Sequence, residues 1–202
     1  MSPRNSDTSF ARASGRAGGR RQKTQPPPLD NAALDALALT YVARFATSSG
    51  RLADYLKRKL RERGWAEETA PDVAAVVSRM AERRYLDDAA FSAAKGESLR
   101  RRGYGARRID DTLSHDGIAE PLRAAARGSE TERRHAVLAF ARRKRFWPYS
   151  GEPCLDPAPR RKQLAAYLRA GHGLDHVRRV MDARDLTELE EWADEHAEDA
   201  LE

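Results

Sequence analysis

Leu60-Arg-Glu-Arg-Gly64-Trp65, Leu113-Ser-His-Asp-Gly117-Ile118 and Tyr167-Leu-Arg-Ala-Gly171-His172 follow one another at intervals of 53 and 54 residues. Each reads as the last turn of a helix that stops at a glycine, the residue that enters left-handed backbone without a Cβ penalty. A period near 50 marks stacked supersecondary units, each too small to bury its own apolar face. Around these stops, Leu34, Leu37, Ala38, Tyr41 and Phe45 recur at helical spacing, as do Leu52, Tyr55, Leu56 and Leu60, and then Val73, Val76, Val77 and Met80. Ile109 and Leu113, Val137, Phe140 and Ala141, Leu164, Tyr167 and Leu168, and Val177, Val180 and Met181 continue the pattern. No stretch alternates at period two over strand length, so the sequence predicts an all-α fold of three tandem three-helix repeats. Their predicted spans are 30–84, 85–130 and 131–184, with a Pro-rich insertion at 147–159. Pro71 and Pro121 are expected in the first turns of helices, where a missing N–H is harmless.

The chain has 202 residues, 40% hydrophobic and only 7% aromatic, which favours a thin, elongated helical body over a large enzyme. No run of about 20 apolar residues is present, so the sequence predicts no membrane span and a cytoplasmic protein. A single Cys154 excludes an internal disulfide. Charge is unevenly placed. Residues 1–28 carry six cations and one acid, residues 186–202 carry eight acids and no Lys or Arg, and residues 29–185 therefore hold +9 of the overall +6. Residues 1–29 read as a disordered basic arm. The segment 185–202 reads as an acidic tail, either a brake folded over the cationic body or, through Leu189 and Trp192, a terminal helix. A cationic body implies a polyanionic partner. Of the 37 cations 31 are Arg, whose planar forks suit phosphate and carboxylate, although a high-GC genome enriches Arg for no structural reason.

The densest cationic stretch is Arg100-Arg101-Arg102-Gly103-Tyr104-Gly105-Ala106-Arg107-Arg108. An exposed tyrosine between guanidinium clusters suits phosphate tracking, base stacking or docking on an acidic surface. The alternative is a solvated face whose arginines complement a helix end. On the helix from Leu52, a 100° step sets Lys57, Arg58 and Arg61 opposite the leucine stripe, as solvated decoration or as a second contact. Tyr85-Leu86-Asp87-Asp88 reads as a junction in which Tyr85 and Leu86 bury between units and an aspartate caps the next helix. His172 and His176 have the spacing of helical metal ligands, but Gly171 and Gly173 set a turn around the first, so neither a metal nor any cofactor is expected. Cys154 has no helix N-terminus or base beside it. No strand leads into a Gly-rich phosphate loop, and no acid–base constellation supports an enzyme.

Residues 83–118 resemble the RecX family, bacterial regulators of the RecA recombinase. Tyr85, Leu86, Asp87, Asp88, Phe91, Arg100, Arg102, Gly103, Tyr104, Gly105, Arg108, Ile109, Leu113, Gly117 and Ile118 match the family's central pattern without gaps. Residues 38–65 are similar to its first unit and 160–181 to its third. Arg84 stands where the family usually has glycine, Tyr55 stands where an acidic residue is common, and the 147–159 loop is long. The resemblance implies a monomer of tandem three-helix repeats in a curved body, lying in the groove of the RecA filament on single-stranded DNA. It implies a protein without an active site that lowers the recombinase's ATPase, strand exchange and filament growth in recombination, DNA repair and the SOS response. A stand-alone nucleic-acid-binding protein with helix-turn-helix-like units is the competing reading of the same charge.

Overall fold

In a computed structural model, described for residues 26–195, the chain forms ten helices and no strand. They are α1 (Asn31–Arg44), α2 (Ser49–Arg63), α3 (Val73–Glu82), α4 (Asp88–Arg101), α5 (Ala106–His115), α6 (Glu120–Ala126), α7 (Glu130–Lys144), α8 (Pro157–Arg169), α9 (Leu174–Asp182) and α10 (Leu186–Asp194). Short polar residues start most of them. Asp30, Ser48, Asp72, Asp87, Ser129 and Asp185 each accept a backbone N–H of the first turn, which satisfies a donor the helix cannot. Pro121 lies in the first turn of α6, as expected, whereas Pro71 precedes the Asp72 cap of α3. Pro157 and Pro159 belong to α8, so the inserted loop ends earlier than the proline count implied.

The buried apolar residues form three clusters. Leu34 and Ala38 of α1, Leu52 and Leu56 of α2, and Val76 and Met80 of α3 make the first, joined by Leu29 and Leu86. Leu29 is a correction to the arm boundary: it is fully buried, bridges to Trp65 and is held by the Gly64 carbonyl at 3.0 Å, so it belongs to the folded body. The rest of the basic arm, residues 1–25, lies outside the described residues. Ile109, Leu113, Ile118 and Ala126 make the second cluster, where Gly96 of α4 lets the backbone of α6 approach. The third gathers Phe140, Tyr167, Val177, Val180, Leu189 and Trp192 from four helices, α7 to α10. Hence the last group has one helix more than the spacing predicted. That helix opens the segment read as an acidic tail; Glu190, Glu191 and Asp194 are exposed, Glu188 pairs with Arg179 and Arg184, and Leu189 and Ala193 are fully buried. Residues 196–202 lie outside the described residues.

Truncation after Asp185 is expected to lower the urea midpoint, because it strips Leu189 and Trp192 from the third cluster at a cost of about 4 kcal/mol. An unchanged midpoint would restore the brake reading.

Two joints link the clusters, and both are built from glycines. At the first, Gly50 in the opening turn of α2 meets Gly117 just after α5; a Cβ on Gly50 would lie 2.6 Å from the Gly117 Cα and 2.8 Å from the Asp116 carbonyl. The Ser48 hydroxyl donates to that carbonyl at 2.5 Å, and the Ser49 amide donates to the Asp88 carboxylate at 2.8 Å. The Asp116 side chain, 1% exposed, takes Arg51 Nε at 2.7 Å on one oxygen and Lys95 Nζ on the other. At the second joint, Gly105 at the start of α5 meets Gly171 just after α8; the Gly105 amide donates to the Ala170 carbonyl at 2.9 Å and the Arg107 amide to that of Gly171 at 3.2 Å. Thus the start of each middle helix rests on the end of the next one. Gly64, which ends α2, has open space where its Cβ would be.

Candidate functional site

The cationic stretch sits on the second joint. Helix α4 ends at Gly103 (φ 75°), where the Gly103 amide donates to the Arg100 carbonyl at 2.7 Å and the Tyr104 amide to that of Leu99 at 3.0 Å. Gly103 lies against the backbone of α7, with room for no Cβ beside Phe140. This turn delivers Tyr104, half-buried, to the edge of the third cluster. There the guanidinium carbons of Arg102 and Arg143 stand 5.4 and 5.1 Å from its ring centroid. Helix α5 then starts with Arg107 and Arg108 exposed in its first turn, where no acidic residue balances them. Two cations at the positive end of a helix oppose its dipole and strengthen the pull on an anion. With them, Asp111, Leu168, Arg169 and Gly171 line an open cavity of about 340 Å³, which therefore holds three cations and one carboxylate.

Of the residues singled out from the sequence, Arg102, Tyr104, Arg107 and Arg108 share this face. Arg101 is exposed and paired with Glu97 at 2.5 Å. Arg100 is a correction. Only 14% of its side chain is exposed, and it bonds the Ala126 carbonyl at 2.5 Å and Glu132 at 2.9 Å, so it ties α4 to the α6–α7 turn instead of facing a partner. Lys57, Arg58 and Arg61 are exposed on α2, in the first group and apart from this joint; Arg58 lies 5.5 Å from the Tyr55 ring and pairs weakly with Glu62. The structure adds residues that spacing missed: Arg142, Arg143, Lys144 and Arg145, four consecutive cations at the end of α7. Their run was visible, but nothing in sequence linked it to Tyr104.

Tyr85 also departs from expectation. Leu86 is buried and Asp87 caps α4, yet Tyr85 is 52% exposed. The histidines serve the scaffold: His172 lies buried in the joint with Nε2 3.1 Å from the Gly103 carbonyl, and His176 bonds Glu130 at 2.6 Å. Burial pushes Glu130 up, but hydrogen bonds from Arg133, His176 and Arg134 outweigh this and hold it at about 2. Among the described residues no three His, Cys, Asp or Glu side chains gather as a metal site, and no helix is long and apolar enough to cross a membrane.

Burial lowers the His172 pKa to about 4, against 6.5 when unfolded. Between these values the unfolded chain binds the extra proton, so His172 should cost stability as pH falls from about 6.5 to 4, about 3 kcal/mol in total. His172→Phe keeps a ring beside Phe140 and Tyr167 and removes the titration. Urea unfolding from pH 7 to 5 should show a shallower slope for this variant; equal slopes would refute the assignment.

No family model matches the chain. Single relatives do match. The chain is 29% identical over 175 residues to regulatory protein RecX of Myxococcus xanthus (strain DK1622), covering 81% of this chain and 89% of that protein. It is 30% identical over 132 residues to regulatory protein RecX of Pseudomonas putida (strain GB-1), covering 65% of this chain and 80% of that one. The chain belongs to the RecX family. The fold agrees: a crystal structure of regulatory protein RecX superposes with a TM-score of 0.53 at 20% identity, over 75% of this chain and 72% of that one.

The RecX-like motif is mostly scaffold in this chain. Gly103, Gly105 and Gly117 build joints, Ile109, Leu113 and Ile118 fill the second cluster, and Asp87 caps α4. The departure at Arg84 has a physical reading: its φ is 59°, in the left-handed region where a Cβ is strained. Arg84→Gly is accordingly expected to raise the melting temperature by about 1–3 °C, a gain of about 0.5–1 kcal/mol after the added freedom of the unfolded chain is counted. A fall would show that the arginine side chain contributes more than its backbone costs.

Proposed function

We propose that this protein is a regulator of the RecA recombinase, binding the filament on single-stranded DNA and lowering its ATPase, strand exchange and growth. The observation that carries this reading is the Arg102–Tyr104–Arg143 cluster with Arg107 and Arg108 beside it, on a member of a family of regulatory proteins. These arginines form no ion pair with another described residue, so their charge is available to phosphate or to acidic protein surface. In this reading the three clusters are tandem repeats of a three-helix unit, near 30–84, 85–130 and 131–184, the last extended by α10. The monomer is an elongated, curved cytoplasmic protein that works without a cofactor, its weak contacts adding along several filament protomers.

The test is the recombinase's single-stranded-DNA-dependent ATPase, titrated with this protein. A fall in hydrolysis at stoichiometry comparable to recombinase is expected, with no hydrolysis by the regulator itself; unchanged ATPase, strand exchange and filament length would sink the assignment. The same cationic cluster also suits a stand-alone nucleic-acid-binding protein. That alternative predicts equal affinity for naked DNA whether or not recombinase is present, with a steep salt slope.

A further inference from the structure

The third cluster contains a polar atom that the other two lack. Of the three matching helix ends, the first two carry Leu60 and Leu113 where the third carries Tyr167. Tyr167 is fully buried among Phe140 (ring centroids 5.0 Å apart), Phe146 (5.6 Å) and His172 (6.0 Å). Its hydroxyl has no hydrogen-bond partner among the described residues. Burial, and after it the Tyr149 phenol, push this hydroxyl well above the ordinary tyrosine range, so it stays a donor whose proton no acceptor receives. A buried hydroxyl in that state destabilises the fold, and contact with water would relieve it.

The Phe146 ring and the Tyr149 phenol place the turn Phe146–Tyr149 beside this hydroxyl, both side chains half-buried on the third cluster. The turn is lightly fastened. Trp147 Nε1 donates to the Ala183 carbonyl at 2.9 Å, and the Tyr149 amide closes the turn on the Phe146 carbonyl at 2.7 Å. After it, residues 150–155 make one hydrogen bond among the described residues, from the Ser150 hydroxyl to the Glu152 carbonyl at 2.8 Å, and Leu155 is left 81% exposed. Before it, Arg145 takes left-handed backbone at φ 53° and ψ 42°, a conformation that strains any residue with a Cβ. The closed turn thus gains the burial of Phe146 and Tyr149 against two opposing terms, the strain at Arg145 and the unpartnered hydroxyl.

We propose that the Phe146–Tyr149 turn is a lid hinged at Arg145, which opens while the helices stay folded and lets water reach the Tyr167 hydroxyl. Opening breaks the bond from the Phe146 amide to the Ala141 carbonyl (3.0 Å) and so frays the last turn of α7, the turn that holds Arg143 over Tyr104. The lid is in this way joined to the cationic face, whatever that face binds.

The test is amide hydrogen exchange of the full chain, read at Phe146 and Tyr149, whose N–H groups are bonded in the closed turn. In wild type their protection should be at least about tenfold lower than that of the Leu56 and Leu113 amides in α2 and α5, and low urea should not change it, the mark of a local opening. Tyr167→Phe keeps the ring, deletes the hydroxyl and should slow both amides at least about fivefold. Trp147→Phe removes the bond to Ala183 and should speed them at least about threefold. Circular dichroism checks that both variants fold. Protection equal to that of the helix cores would mean that no lid opens. Exchange that is unchanged or faster in Tyr167→Phe would mean that the hydroxyl is satisfied in the closed state, and unchanged exchange in Trp147→Phe would place the opening elsewhere. Each of these results overturns the proposal, and none involves recombinase, so its failure is separate from that of the regulatory reading.

Discussion

Gly50→Ala is expected to destabilise this protein even though it puts the best helix former in place of a poor one. Gly50 is inside α2, where intrinsic propensity alone would reward alanine by about 1 kcal/mol. The first joint reverses the sign. The new methyl would meet the Gly117 Cα at 2.6 Å and the Asp116 carbonyl at 2.8 Å, both backbone atoms that cannot swing aside as a side chain can. Overpacking of this kind costs about 1–3 kcal/mol, and the shift it forces also loosens the Ser48 bond and the Asp116 ion pairs. Gly105→Ala is the matching change at the second joint and should cost more, about 3 kcal/mol. Its Cβ would press on the backbone of both Gly171 and His172 and no helix propensity offsets the clash, since Gly105 is the residue before α5. Melting temperatures lower by about 3–10 °C are expected. A Gly50→Ala variant more stable than wild type would show that the joint is slack.

The second large effect is functional. Reversing Arg102, Arg107, Arg108 and Arg143 to glutamate should raise the concentration needed for half-inhibition of recombinase at least a hundredfold. If the four meet phosphates, the slope of log affinity against log salt for single-stranded DNA should fall by about 3. Tyr104 is left in place because its ring packs on the third cluster, and removing it would mix a packing defect into the result. Helix α5 should tolerate the change well: glutamates at positions 107 and 108 suit the positive end of its dipole better than the native arginines do. At 102 and 143 the glutamates give up the contact with the Tyr104 ring and face the negative ends of α4 and α7, so the reversed protein should melt within a few degrees of wild type. Retained inhibition with an unchanged salt slope would make the patch idle and shift attention to Lys57, Arg58 and Arg61.

The helices were legible because their signals are local. The Leu52, Leu56 and Leu60 spacing, the aspartate cap in Asp87-Asp88 and the glycine stops all act within one or two turns. The joints were half legible: the recurring Gly117 and Gly171 marked helix ends, but that Gly50 and Gly105 face them is a long-range fact no spacing carries. The site suffered the same limit. Arg100 and Arg102 are two residues apart in one run, yet the α6–α7 turn claims the first and leaves the second to solvent. Arg143 reaches Tyr104 only because α7 packs under the Gly103 turn. Tyr85 looked like core by residue type alone, and α10 looked like a tail by charge alone, although Leu189 and Trp192 already held its apolar side.

The open space at Gly64 bears on length. A further unit added there would have to offer a helix start thin enough to touch a glycine backbone, as Gly50 and Gly105 do. Another copy of this chain has only α8 to offer from its far end, and that helix begins with Pro157 and Pro159, whose rings keep backbones apart. Leu29 and Trp65 moreover pair alongside Gly64. Among the described residues the close glycine-to-backbone approach that fixes the other two helix ends therefore has no counterpart at Gly64, so a side chain placed there would meet no wall and only its left-handed backbone would resist it.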